Sequence, residues 1–201
     1  MKIKNTLTHS LLIIALLISG CEDKEAEEQL VVESFSITLV DKITTGDETQ
    51  SQPELIRFVT DELGVIVNSE QNSVDFINIT PSGITMSGQS VQITQDADAD
   101  ASSIDVSVDE SILAVVVSKG ACLRGELYLI NTSTLQKYGP YELGFNPDAV
   151  DIAVDNKFVV VVNEFDYEDG VDGGCQTLGF PGVSVYDISA GIDKASLVKD
   201  M

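Results

Sequence analysis

The chain has 201 residues, enough for one domain or two small ones, and 43% of them are hydrophobic, which excludes a wholly disordered protein. Its 33 acidic residues outweigh 11 basic ones for a net charge of −22, so the surface repels nucleic acid and anionic lipid headgroups while favouring solubility in salt and binding of cations. There is no Trp, and the single His is His9, in a segment expected to be removed; no imidazole then remains for a Ser–His or Cys–His relay or for a His-ligated zinc.

The chain opens with Lys2 and Lys4, then an apolar run at residues 11–18 (LLIIALLI), too short to span a bilayer but suited to the hydrophobic region of a signal peptide. Ile18-Ser19-Gly20-Cys21 resembles the bacterial lipobox, an aliphatic residue and two small residues before a cysteine. The resemblance implies a signal peptide at 1–20, lipidation of Cys21 and anchoring by several acyl chains where one would be marginal. A soluble secreted protein and a retained membrane helix stand as alternatives. Residues 22–29 (EDKEAEEQ) carry charge without strand pattern, so 21–33 reads as an acidic tether.

Beyond the tether the chain repeats itself. Residues 55–68 (LIRFVTDELGVIVN) and 73–79 (SVDFINI) form a first unit. Residues 104–118 (IDVSVDESILAVVVS) and 126–131 (ELYLIN) form a second, and 149–163 (AVDIAVDNKFVVVVN) and 183–188 (VSVYDI) a third. In each, an alternating strand with one buried face, such as Val150, Ile152 and Val154, leads to a turn opened by Asp61, Asp109 or Asp155. An Asp side chain there can bond the backbone two residues on. A continuous apolar run follows, as expected of a strand covered on both faces, and a third alternating strand closes the unit. Residues 90–94 and 138–143 supply fourth strands, whereas the last strand of the third unit would begin where the sequence stops. Four antiparallel strands repeating every ~45 residues predict an all-β, partial β-propeller of about three blades, at roughly 34–95, 96–145 and 146–201. A strand near residues 35–43 would belong to a fourth blade. A β-sandwich is the structural alternative.

Residues 147–164 (PDAVDIAVDNKFVVVVNE), 65–79 and 182–189 (GVSVYDIS) together resemble the choice-of-anchor I family of surface-held, YVTN-like β-propellers. Two departures are the missing Ala after the Val run and a Cys-bearing insertion in the third unit. The resemblance implies a bacterial envelope protein, and the blade count an N-terminal portion of a longer propeller, whose exposed faces would promote oligomers or aggregates. Some relatives carry an alkaline-phosphatase label, which implies a rival reading as a calcium-dependent phosphoesterase needing further blades.

Cys122 and Cys175 fall between the second and third strands of adjacent units, loops that lie side by side in a propeller. A disulfide between them is expected; it would close a loop of about 50 residues, for a few kcal/mol. Two acidic clusters are candidate calcium ligands: Asp96, Asp98 and Asp100 entering the second unit, and Glu164, Asp166, Glu168, Asp169 and Asp172 in the third. The first begins like an EF-hand but has Ala101 where Gly is required and Ser107 where Glu is required. Solvated loop acids are the alternative. The expected partners are the membrane, through the lipid, and an envelope or extracellular ligand; no catalytic residue is assigned.

Overall fold

A computed structural model describes residues 41–43, 52–120, 123–164 and 181–200, all within one compact unit, Thr38–Met201. Among the described residues twelve strands form three four-stranded antiparallel sheets, each built from consecutive strands in sequence order. The first holds β1 (Pro53–Phe58), β2 (Leu63–Asn68), β3 (Ser73–Thr80) and β4 (Gly83–Gln92). The second holds β5 (Asp100–Val106), β6 (Ile112–Ser118), β7 (Arg124–Asn131) and β8 (Lys137–Phe145). The third holds β9 (Pro147–Ile152), β10 (Phe158–Asn163), β11 (Gly182–Asp187) and β12 (Ser196–Asp200). Successive up-and-down sheets stacked face to face are propeller blades.

Two expectations about the outer strands are corrected. The fourth strand of the first sheet is the hairpin return Gly83–Gln92 rather than residues 90–94, because Pro81 and Ser82 turn the chain directly after β3. The third sheet does have its fourth strand, β12. Gly191, at φ 115°, and a short 3-10 turn at Ile192–Lys194 bring the chain back alongside β11. Val154 is not part of the first-strand alternation: β9 ends at Ile152 and Val154 is 83% exposed in the turn. Of the strand expected near residues 35–43, only Asp41, Lys42 and Ile43 are described, and they are not extended in a sheet.

The turn between first and second strands shows how local chemistry sets the faces. Asp109 Oδ1 accepts from Ser111 N–H (3.2 Å), and Asp155 Oδ1 accepts from Lys157 N–H (3.1 Å). The residues after these acids, Glu110 (φ 63°) and Asn156 (φ 55°), take the left-handed conformation that closes the turn. Hydroxyls of Ser107 and Ser111 also donate to Asp109 and hold its carboxyl below the usual range. Asp61 does not play this part. Thr60 Oγ1 accepts from Glu62 and Leu63 N–H instead (3.2 and 3.1 Å). The first turn is one residue shorter: Val59 N–H reaches Leu63 O, whereas Ser107 and Ala153 N–H reach Ile112 O and Phe158 O. Since strand side chains alternate, one residue decides which face each occupies. Val65 therefore corresponds to Ala114 and Val160, not to Leu113.

Two cores lie between the sheets. Val65, Val67, Val74 and Phe76 of the first sheet meet Ile104, Leu113, Val115 and Val117 of the second. Ala114, Val116, Leu127, Leu129 and Leu143, from the opposite face of the second sheet, meet Val150, Ile152, Val159 and Val161 of the third. The unbroken run at 112–117 thus serves two cores, odd residues facing one way and even residues the other. Polar groups stitch the inner strands together. Ile152 N–H donates to Asp105 Oδ2 (2.8 Å) and Val150 N–H to Ser103 Oγ (3.2 Å), while Arg57 Nε lies 3.5 Å from Asp105 Oδ1. These bonds satisfy backbone donors that a lone inner strand would leave unpaired.

Close packing at the second interface makes a testable point. A Cβ on Gly125 would lie 2.2 Å from Pro147 Cγ and 2.7 Å from the Val117 carbonyl oxygen. Gly125→Ala is expected to cost about 1–3 kcal/mol, since Val117 and Pro147 are held in strands of the two packed sheets; thermal unfolding measures it, and an unchanged Tm would refute the contact.

Candidate functional site

One rim of the molecule collects the residues that carry chemistry. There β5 and β9 begin and β6 and β10 end: Asp100 pairs with Ser118, and Pro147 with Asn163. The connection from β4 to β5, with Asp96, Asp98 and Asp100, crosses this rim beside the loop that follows β6.

Asn72 holds that connection in place. It is 6% exposed and sits at φ 49°, a conformation Asn tolerates well. Its Nδ2 donates to Ala99 O (2.5 Å) and Asp96 O (3.3 Å), and Ala101 N–H donates to its Oδ1 (2.9 Å). Next to it runs a charged chain. Lys119 Nζ lies 2.5 Å from Glu126 Oε1 and 3.9 Å from Asp96 Oδ2. Tyr128 Oη donates to Glu126 Oε2 (2.7 Å); burial first, and then this carboxylate, push the phenol far above its ordinary range. The Lys137 ammonium stands 4.9 Å from the Tyr128 ring centre and donates to Gln92 O (2.8 Å) and Ile93 O. Burial lowers its pKa.

Toward the third sheet, Lys119, Arg124, Gly125, Glu126, Pro140 and Glu142 line an open cleft of about 290 Å³. Arg124 bridges two outer strands, with Nε 2.9 Å from Glu142 and Nη2 2.7 Å from Asp200, and its guanidinium carbon lies 5.5 Å from the Phe145 ring centre. Asp200 also accepts from Ser184 Oγ (2.8 Å), which receives a bond from Asn163 Nδ2 (2.9 Å). Sequence reading assigns no role to Lys119, Arg124, Glu126 or Asn72. No motif marks them, and only the pairing of separate strands brings them together.

The expected calcium ligands come out unevenly. Asp96, Asp98 and Asp100 are exposed, and Asp96 Oδ1 accepts from Asp98 N–H (3.2 Å). Among the described residues no three acid, His or Cys side chains converge in a way that could hold a metal. Glu164 follows β10 at this rim and is exposed, its N–H donating to Asn146 O (2.9 Å). Asp166, Glu168, Asp169, Asp172, Cys122, Cys175 and Cys21 lie outside the described residues, so the disulfide and lipidation expectations do too. Among the described residues no helix is long and apolar enough to cross a membrane.

The sequence profile of the choice-of-anchor I domain matches residues 55–199, which spans all three sheets. This chain belongs to the choice-of-anchor I domain family. Its three four-stranded sheets are how that domain is built here, and the family is one of bacterial surface and envelope proteins. Comparison with curated protein sequences finds no match. Among solved structures the domain resembles a protein of Lactobacillus plantarum (18% identity, TM-score 0.52, covering 73% of this chain and 40% of that one). It also resembles a putative 6-phosphogluconolactonase of Bacteroides fragilis (14%, TM-score 0.57, 75% and 38%). A third is the periplasmic gluconolactonase of Pseudomonas aeruginosa (12%, TM-score 0.53, 75% and 39%). These likenesses are to the fold, a β-propeller, and the choice-of-anchor I chain spans about two fifths of the length of those structures.

Proposed function

We propose that this choice-of-anchor I domain is a binding module, held to the bacterial cell envelope by lipid on Cys21, whose acidic rim faces an envelope or extracellular ligand. The observation that carries this reading is the state of the cations. Among the described residues Arg57, Arg124 and Lys119 each face a carboxylate, Asp105, the pair Glu142 and Asp200, and Glu126 respectively. A phosphoesterase needs positive charge aimed at its substrate, whereas both arginines, and Lys119 at the rim, are turned to carboxylates of the chain itself. Family membership supports the envelope setting, and the lipobox resemblance at residues 18–21 supports the anchor.

The test has two arms. Wild-type chain expressed in a bacterium is expected in the membrane fraction and to take up radiolabelled palmitate. Cys21→Ser is expected to lose the label and move to the soluble fraction. Unlabelled wild type would remove the anchor. Hydrolysis of a generic phosphomonoester with added calcium, or of a gluconolactone, is expected to stay at background; turnover abolished by a rim substitution would replace the binding reading with an enzymatic one.

A further inference from the structure

We propose that a cavity between the first two sheets, at the rim opposite the candidate site, holds a small organic cation with an apolar body. The turns that follow β1 and β5 frame this cavity, which measures about 310 Å³. Its walls come from two sheets that already share a core, so it is not a face left open at the end of the row of sheets.

The lining combines uncovered apolar groups with unpaired negative charge. Phe58 is 61% exposed and Val108 67%, with half-buried Val106 beside them. Large apolar side chains around a concavity are the ordinary wall of a small-molecule site. Asp61 and Glu110 also line it, both are exposed, and no lining residue is basic. Among the described residues neither carboxylate forms an ion pair. The other rim is different in kind, since Glu126, Glu142 and Asp200 each meet a lysine or an arginine there.

The next turn of the repeat lacks this charge. Asn156 stands where Glu110 does, at φ 55° against 63°, and Lys157 Nζ lies 3.2 Å from Asp155. The free carboxylates thus belong to this one cavity and are not a general property of the repeat.

Those two features select the occupant. An ammonium group would neutralise Asp61 and Glu110, and its hydrocarbon part would take Phe58 and Val108 out of water. An aromatic ring such as that of Phe58 also attracts a cation to its face. The net charge of −22 draws cations to the molecule and repels anions. A neutral molecule of the same shape would leave the carboxylates uncompensated, and an inorganic cation would gain nothing from the apolar wall.

The test titrates the full chain, carrying Cys21→Ser so that no lipid is attached, with phenethylammonium, and follows amide chemical shifts. Saturable binding in the millimolar range is expected, with shifts at residues 58–61 and 106–110. The neutral isostere phenethyl alcohol and the anion phenylacetate should bind at least tenfold more weakly. Asp61→Asn combined with Glu110→Gln changes only exposed side chains. It should keep the circular dichroism of the fold, lose at least tenfold in affinity for the ammonium and leave the alcohol unaffected. Salt serves if that variant unfolds: at about 1 M, where charges are screened beyond about 3 Å, the ammonium should bind at least threefold more weakly and the alcohol should not. Absence of saturation, equal binding of ammonium and alcohol, or ammonium binding indifferent to both the double substitution and salt would overturn the proposal.

Discussion

Replacing Phe76 with alanine is expected to destabilise the folded unit by about 3–5 kcal/mol, the range for emptying a buried aromatic site. Phe76 is fully buried, on β3, in the core between the first two sheets, with Val65 directly across the strand pair. Its removal takes away both the transfer free energy of the ring and the dispersion contacts of the side chains around it. The cavity cannot collapse easily, because the sheets are held apart by their own hydrogen-bonded strands. A loss of that size should lower Tm by roughly 10 °C in a unit of this length. Val154→Ala is the comparison: at 83% exposure it should change stability by less than about 0.5 kcal/mol. Chemical denaturation of both variants gives the numbers, and a Phe76 variant indistinguishable from the Val154 one would mean that the two sheets do not share this core.

Asn72→Ala should cost about 2–4 kcal/mol. Three hydrogen bonds end on this one side chain, and the substitution strands buried Ala99 O and Ala101 N–H without partners. Alanine also fits poorly at φ 49°, adding about 1 kcal/mol. Asn72→Asp separates the contributions: it can still accept from Ala101 N–H but cannot donate to Ala99 O, so it should fall between alanine and wild type. The damage should be local before it is global. Amide exchange along residues 94–101 is expected to accelerate even below the melting range, since Asn72 is what ties the connection between two sheets to the turn before β3. Exchange left unchanged there would show that the connection is held by something else.

The three repeat units were legible because their signals are local. Alternation in β9, apolar runs in β2, β6 and β10, and Asp at two of three turns are each set by a few consecutive residues. The first unit misled for the same reason. Asp61 sits where Asp109 and Asp155 sit by count, yet Thr60 makes its turn, one residue shorter, and the shift reassigns every side chain of β2 to the other face. A count of residues does not register a hydrogen bond that has changed donors. β12 escaped notice because Ser196–Asp200 is short and wholly exposed, with no buried face to impose a pattern.

The rim belongs to the other category. Acidity in residues 96–100 and 164–172 is visible in the sequence, but the partners of these loops are not. Lys119 and Glu126 belong to one hairpin, whereas Arg124 and Asp200 come from different sheets. By itself the sequence determined the class of fold, the repeat with the inner three strands of each unit, and the excess of acidic over basic residues. It did so because period-two burial and turn chemistry are properties of neighbouring residues. Only the tertiary structure decided which face of each strand is buried and that the arginines are occupied by carboxylates. Those depend on which sheet stands opposite, a relation between residues some fifty to a hundred positions apart that no local pattern records.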